Sequence, residues 1–111
     1  MTVREMVKAI QHEVRAGGLT PLRAADLQAQ LSALHGNISE EMTAADCEYA
    51  DVLLTYMKSE AKANRAKIAA ETSPQYRRKR EAKDTLKLGE AMSTALRALV
   101  RAQTEEMRMT R

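Results

Sequence analysis

The chain has no tryptophan, no phenylalanine and only three tyrosines among its 111 residues. A core must therefore be built from alanine, leucine, methionine and valine, which favours helix and leaves strand formers scarce. Two prolines and four glycines give few points at which a helix must stop. These absences point to an all-α protein. At this length the chain is long enough for one modest core.

A single cysteine, Cys47, excludes an internal disulfide and fits a reducing compartment. No apolar run approaches the ~18 residues that a membrane-spanning helix needs. The first residues, MTVREMVKAIQHEV, are amphipathic and carry acids, so they lack the apolar centre of a signal peptide. A cytoplasmic protein without membrane partners is the expectation.

Catalytic and metal-binding patterns are missing too. His12, His35 and Cys47 are the soft ligands, and none stands three or four residues from another. The acid pairs Glu40-Glu41 and Glu105-Glu106 are adjacent, which on a helix turns them about 100° apart instead of facing them across a cleft. There is no glycine-rich phosphate loop, nucleophile elbow or dinucleotide fingerprint. The expectation is a non-enzymatic protein with no cofactor and no metal.

What the chain does hold is helical punctuation. Thr2 and Glu5 have capping-box spacing, and Val3, Met6, Val7, Ile10 and Val14 recur at helical intervals before Gly17-Gly18. They predict a first helix over about residues 3–16. Thr20-Pro21 opens a second, with Leu27, Leu31 and Leu34 on one face and Gly36-Asn37 as its close. A third is predicted to begin near Ser39 or at Thr43 and to stop near Glu71. Its seam is Cys47, Ala50, Leu54, Met57, Ala61, Asn64 and Ile68, at alternating steps of three and four, with Tyr49, Leu53 and Tyr56 beside it. Asn64, polar within that seam, is a candidate for setting register or oligomeric state.

Ser73-Pro74 then caps a fourth helix running to about residue 109. It carries two adjacent stripes: Leu88, Met92, Ala95, Leu99, Ala102 and Met109, and beside them Leu86, Leu96, Val100 and Met107. The predicted architecture is one domain: a short hairpin over 1–37 packed on a long, coiled-coil-like antiparallel hairpin over 43–109, with its turn at 72–74. Facing positions would then have numbers summing to roughly 145. So wide an apolar face suggests a homo-oligomer, with Leu86, Leu96, Val100, Met107 and Met109 as the oligomer or partner interface.

Charge is segregated. Residues 1–57 carry four cations and eight acids, while residues 58–111 carry fourteen cations and seven acids. Lys58, Lys62 and Arg65 align on the third helix. The run Arg77-Arg78-Lys79-Arg80 opens rows continued by Lys83 and Lys87. These nine residues are the candidate nucleic-acid contacts, through salt-sensitive neutralisation of phosphates on single- or double-stranded DNA. The bland reading is a solvated helical corner, and Tyr76 is the one aromatic at hand for base stacking.

The segments EAKANRAKIAAETSPQYRRKREAKD and ALRALVRAQTEEMRMTR resemble small helical proteins encoded in the early gene regions of tailed bacteriophages. The resemblance covers Tyr49 to Arg111, about half of the chain, and includes no catalytic residue. Such genes often neighbour those for single-strand annealing proteins. The resemblance therefore implies an accessory role in DNA recombination or replication, within a host cytoplasm. The alternative is an adaptor or inhibitor that binds a phage or host protein and touches no nucleic acid.

Overall fold

The computed structural model describes residues 1–60 and 62–109, and every element among them is an α-helix. There are four: α1 (Val3–Ala16), α2 (Pro21–Ser59), α3 (Ala63–Glu71) and α4 (Pro74–Met109). The chain divides into two compact units. One contains residues 1–37 with α4 from Lys87 onward; the other contains Ile38–Leu86.

In the first unit, Thr2 Oγ1 accepts the backbone N–H of Glu5 at 3.1 Å, the N-cap half of the predicted capping box. Gly17 and Gly18 have φ of 74° and 70°, the left-handed conformation that ends α1 without a Cβ penalty. Thr20 then caps α2, its Oγ1 accepting from the Arg23 N–H at 3.1 Å. Ile10, Ala24, Leu27, Leu31 and Leu96 form the core, with Val14, Leu19, Leu34, Met92, Leu99 and Val100 packed against it. The Gln103 side chain donates to the Leu19 carbonyl at 2.9 Å, tying the end of α4 to the α1–α2 connection.

Across the surface of that unit, Arg23 grips Glu13 of α1 with two guanidinium N–H groups and also donates to Asp26 at 2.6 Å. The hydrogen bond from Arg23 holds the Glu13 carboxyl below its ordinary pKa. A lowered folded-state pKa contributes stability that is present above the unfolded value and is lost as pH falls through the folded one. Acid below the ordinary carboxylate range should therefore loosen the α1–α2 link. Glu13→Gln should flatten that part of the stability-versus-pH curve, measured by urea unfolding.

The second unit packs the later half of α2, α3 and the start of α4. Its buried side chains are Ile38, Ala45, Tyr49, Ala66, Ala70, Ala82 and Thr85. Small residues dominate, so the helices approach closely around the one large ring of Tyr49. Thr85 satisfies its hydroxyl by donating to the Glu81 carbonyl at 2.8 Å. The corner before α4 is built as the Ser-Pro predicts, with Ser73 Oγ accepting from the Tyr76 N–H at 3.3 Å.

Four expectations are corrected. First, Gly36-Asn37 does not close a helix and Thr43 does not open one: α2 is continuous from Pro21 to Ser59, so α1 is the single short N-terminal helix. Second, the third predicted helix is interrupted after Ser59. Lys62 has extended backbone (φ −119°, ψ 130°) and its carbonyl accepts from Arg65 and Ala66 to start α3. No proline or glycine marks that break.

Third, the inward stripe of α2 in this unit is buried Ala45 and Tyr49 with half-buried Val52 and Tyr56, while Cys47, Ala50, Leu54, Met57, Asn64 and Ile68 are exposed. Ala61 lies outside the described residues. Fourth, α2 and α4 run antiparallel within each unit, but facing residues such as Tyr49 and Tyr76 or Leu31 and Leu96 have numbers that sum to about 125. The predicted register placed the turn directly between two long helices, whereas α3 and its connections intervene.

Candidate functional site

The basic run at the start of α4 divides by helical geometry into two pairs with different surroundings. Arg78 and Lys79 turn toward α2. The Arg78 guanidinium bridges two carboxylates, donating to Glu41 at 3.2 and 3.3 Å and to Glu48. Glu41 and Glu48 are seven residues apart, two turns along one face of α2, so a single planar fork spans them. Donating to Glu48 and Glu41 stabilises the charged guanidinium and pushes the Arg78 pKa up.

Lys79 lies 3.9 Å from Asp46 Oδ1 and 4.6 Å from the centre of the Tyr49 ring. That places the ammonium between an anion and a π face, both attractive to it. Tyr49 in turn packs on Tyr76 with ring centres 5.3 Å apart. Burial, helped by the charge of Glu71, raises the pKa of the Tyr49 phenol.

The acids that meet these cations come from a biased stretch. From Ala24 to Met57 the chain has six Asp and Glu residues and no Lys or Arg. Five of the six lie between Glu40 and Asp51, in the part of α2 that α4 crosses in this unit. Part of the basic run is thus a charge-matched clamp within the fold. These pairs are partly exposed, so each holds the helices in register more than it adds stability.

Arg77 and Arg80 belong to the other side. Both are exposed, and the Arg80 guanidinium carbon sits 6.0 Å from the centre of the Tyr76 ring. They line a polar recess of about 340 Å³ together with Ser73, Glu81 and Asp84. Lys58, Lys62, Arg65 and Lys83 are exposed in the same unit, and none of them has an ion-pair partner among the described residues. Lys87 is exposed one helical turn beyond Lys83 and belongs to the other unit. Six of the nine candidate cations are therefore solvent-facing in one unit, and two are engaged inside it.

The candidate oligomer residues also separate. Leu96 is fully buried in its own chain, and Val100 packs on that core. Leu96 has no surface left for a partner, which corrects that member of the expected interface, while Val100 is half-buried. Leu86 is half-buried, while Met107 and Met109 are exposed. A second recess, of about 460 Å³, lies between α1 and the start of α2, lined by Met6, Ala9, Ile10, Leu27 and Leu34.

Among the described residues there is no group of three His, Cys, Asp or Glu side chains placed to hold a metal. None of the helices is long and apolar enough to cross a membrane. No family model matches the chain, and no curated protein or solved structure shows significant similarity to it.

Proposed function

We propose that this chain is a non-enzymatic helical accessory protein of the phage type, acting in DNA recombination or replication by gripping the phosphate backbone. The observation that carries the reading is the division of the basic run. Arg77, Arg80 and Lys83 remain exposed on α4, with Lys58, Lys62 and Arg65 exposed in the same unit, while Arg78 and Lys79 are held by α2. Exposed cations without acidic partners are the ones whose association with phosphates releases counterions.

Base reading has less support. Tyr76 packs at a tilt against Tyr49, and the Arg80 guanidinium sits 6.0 Å from its ring centre, so the one aromatic beside the basic run is already engaged within the fold. Binding should therefore be sequence-independent and governed by salt.

Fluorescence anisotropy with labelled single- and double-stranded DNA tests this. Replacing Arg77, Arg80 and Lys83 by Ala should weaken binding at least about tenfold at low salt and reduce the salt slope by roughly 2 to 3. Replacing Arg78 and Lys79 should lower stability and leave the slope closer to the wild type. Absence of any binding at low salt would end the nucleic-acid reading. The second reading, a protein-binding adaptor, is favoured by exposed apolar side chains in the same unit, Leu54, Met57 and Ile68. It predicts no DNA binding and an unchanged result in the triple variant.

A further inference from the structure

The stripe read from the sequence as an internal seam is a regular apolar stripe on the outside of α2. Cys47, Ala50, Leu54 and Met57 follow one another at steps of three, four and three, and all four are exposed. Leu54 and Met57 keep 52% and 51% of their surface open to water. The inward stripe, buried Ala45 and Tyr49 with half-buried Val52 and Tyr56, is displaced from it by two positions, about 200° around the helix. One helix thus carries two heptad-spaced faces, and its own chain covers only one.

The charges beside the outer stripe say what covers the other. Of the five acids between Glu40 and Asp51, α4 engages Glu41, Asp46 and Glu48. Asp51 is exposed, with no ion-pair partner among the described residues, and lies next to the stripe at the flanking position after Ala50. Lys58 occupies the equivalent flanking position after Met57, one heptad later, and is equally exposed and unpaired. The two are too far apart to pair along one helix, being about 10 Å distant by helical rise.

Across two antiparallel helices, flanking positions of this class meet each other. Setting Leu54 of one copy against Met57 of the other brings Asp51 alongside Lys58, and two-fold symmetry makes the pair twice. A parallel arrangement instead brings Asp51 against Asp46 of the other copy, acid on acid. The stripe is therefore self-complementary in one orientation only, as a two-fold interface requires.

We propose that the outer stripe of α2 is an antiparallel self-association surface, with a second copy of this chain as its occupant. It is distinct from the residues 86–109 expected to form the interface, and it does not depend on nucleic-acid binding. A stripe of this length stands at the weak end of specific interfaces, so association is expected in the micromolar range.

Sedimentation without nucleic acid, at about 100 µM protein, gives the test. The wild type should form dimers, and Leu54→Glu with Met57→Glu should shift the dissociation constant at least about tenfold with the helical content unchanged. Asp51→Lys and Lys58→Asp should each be monomeric alone, because each sets like charges together twice. Mixed one to one, they should form a heterodimer, since every flanking pair is then of opposite sign. A monomeric wild type, a dimer indifferent to the Leu54 and Met57 changes, or failure of the mixture to associate would each overturn the proposal. Because the assay contains no polyanion, its failure leaves the DNA reading untouched.

Discussion

Leu96→Ala should cost about 2–5 kcal/mol of folding stability. Leu96 has no exposed surface and meets Ile10, Ala24, Leu27 and Leu31 from α1 and α2. Truncating it removes the transfer free energy of the buried atoms and leaves a void between three helices, which a tightly packed core closes only in part. A domain of this size has about 5–15 kcal/mol in total, so the loss is a large fraction of it. Urea unfolding at two protein concentrations is the measurement. A core residue lowers the midpoint equally at both, whereas an interface residue would change the concentration dependence and leave the isolated chain as stable as before. Met109→Ala, at a side chain that is 84% exposed, should fall within about 0.5 kcal/mol of the wild type.

That contrast shows where sequence patterning reaches and where it stops. The ends of α1 and α4 were legible because each is fixed by local chemistry: Thr2 with Glu5, the Gly17-Gly18 pair, and Ser73 with Pro74. The phase of α2 was not. Its sequence holds two apolar stripes of the same period, and a choice between them needs the partner helix. Alanines made the difference, since Ala45 and Ala82 are buried for close approach, while the larger Leu54 and Met57 stay outside.

Register failed for a related reason. The break after Ser59 carries neither glycine nor proline, so nothing local separates α3 from the helix before it, and the expected pairing is displaced by about twenty residues. With that displacement Arg78 could not be matched to Glu41 and Glu48. The basic run therefore reads as the start of exposed rows, although Arg78 and Lys79 form a clamp on α2 and Arg77 and Arg80 face solvent. The exposed cations themselves, Arg77, Arg80 and Lys83, were legible as a row along α4 because i, i+3 spacing is local to the helix.

Asn37→Pro should destabilise the chain by about 3 kcal/mol or more, a fall in melting temperature of roughly 10–20 °C. The reason is the continuity of α2 through Gly36-Asn37, the pair that reads as a helix stop. Within a helix, proline at 37 deletes the hydrogen bond to the carbonyl four residues earlier and drives its ring against that carbonyl. The damage would fall where α2 passes from Leu31 and Leu34 to buried Ile38, so packing is lost along with the bond. In a loop the same change would be nearly neutral. Gly36→Ala gives the complementary sign. Gly36 has no positive φ, and a Cβ built there meets no atom within 4 Å. Alanine should therefore stabilise the helix by about 1 kcal/mol, through its better propensity and a less disordered unfolded chain. A glycine ending a helix in the left-handed conformation would respond in the opposite direction. Thermal unfolding of the two variants side by side thus distinguishes one long α2 from two short helices by sign alone: a loss at 37 together with a gain at 36 requires the continuous helix.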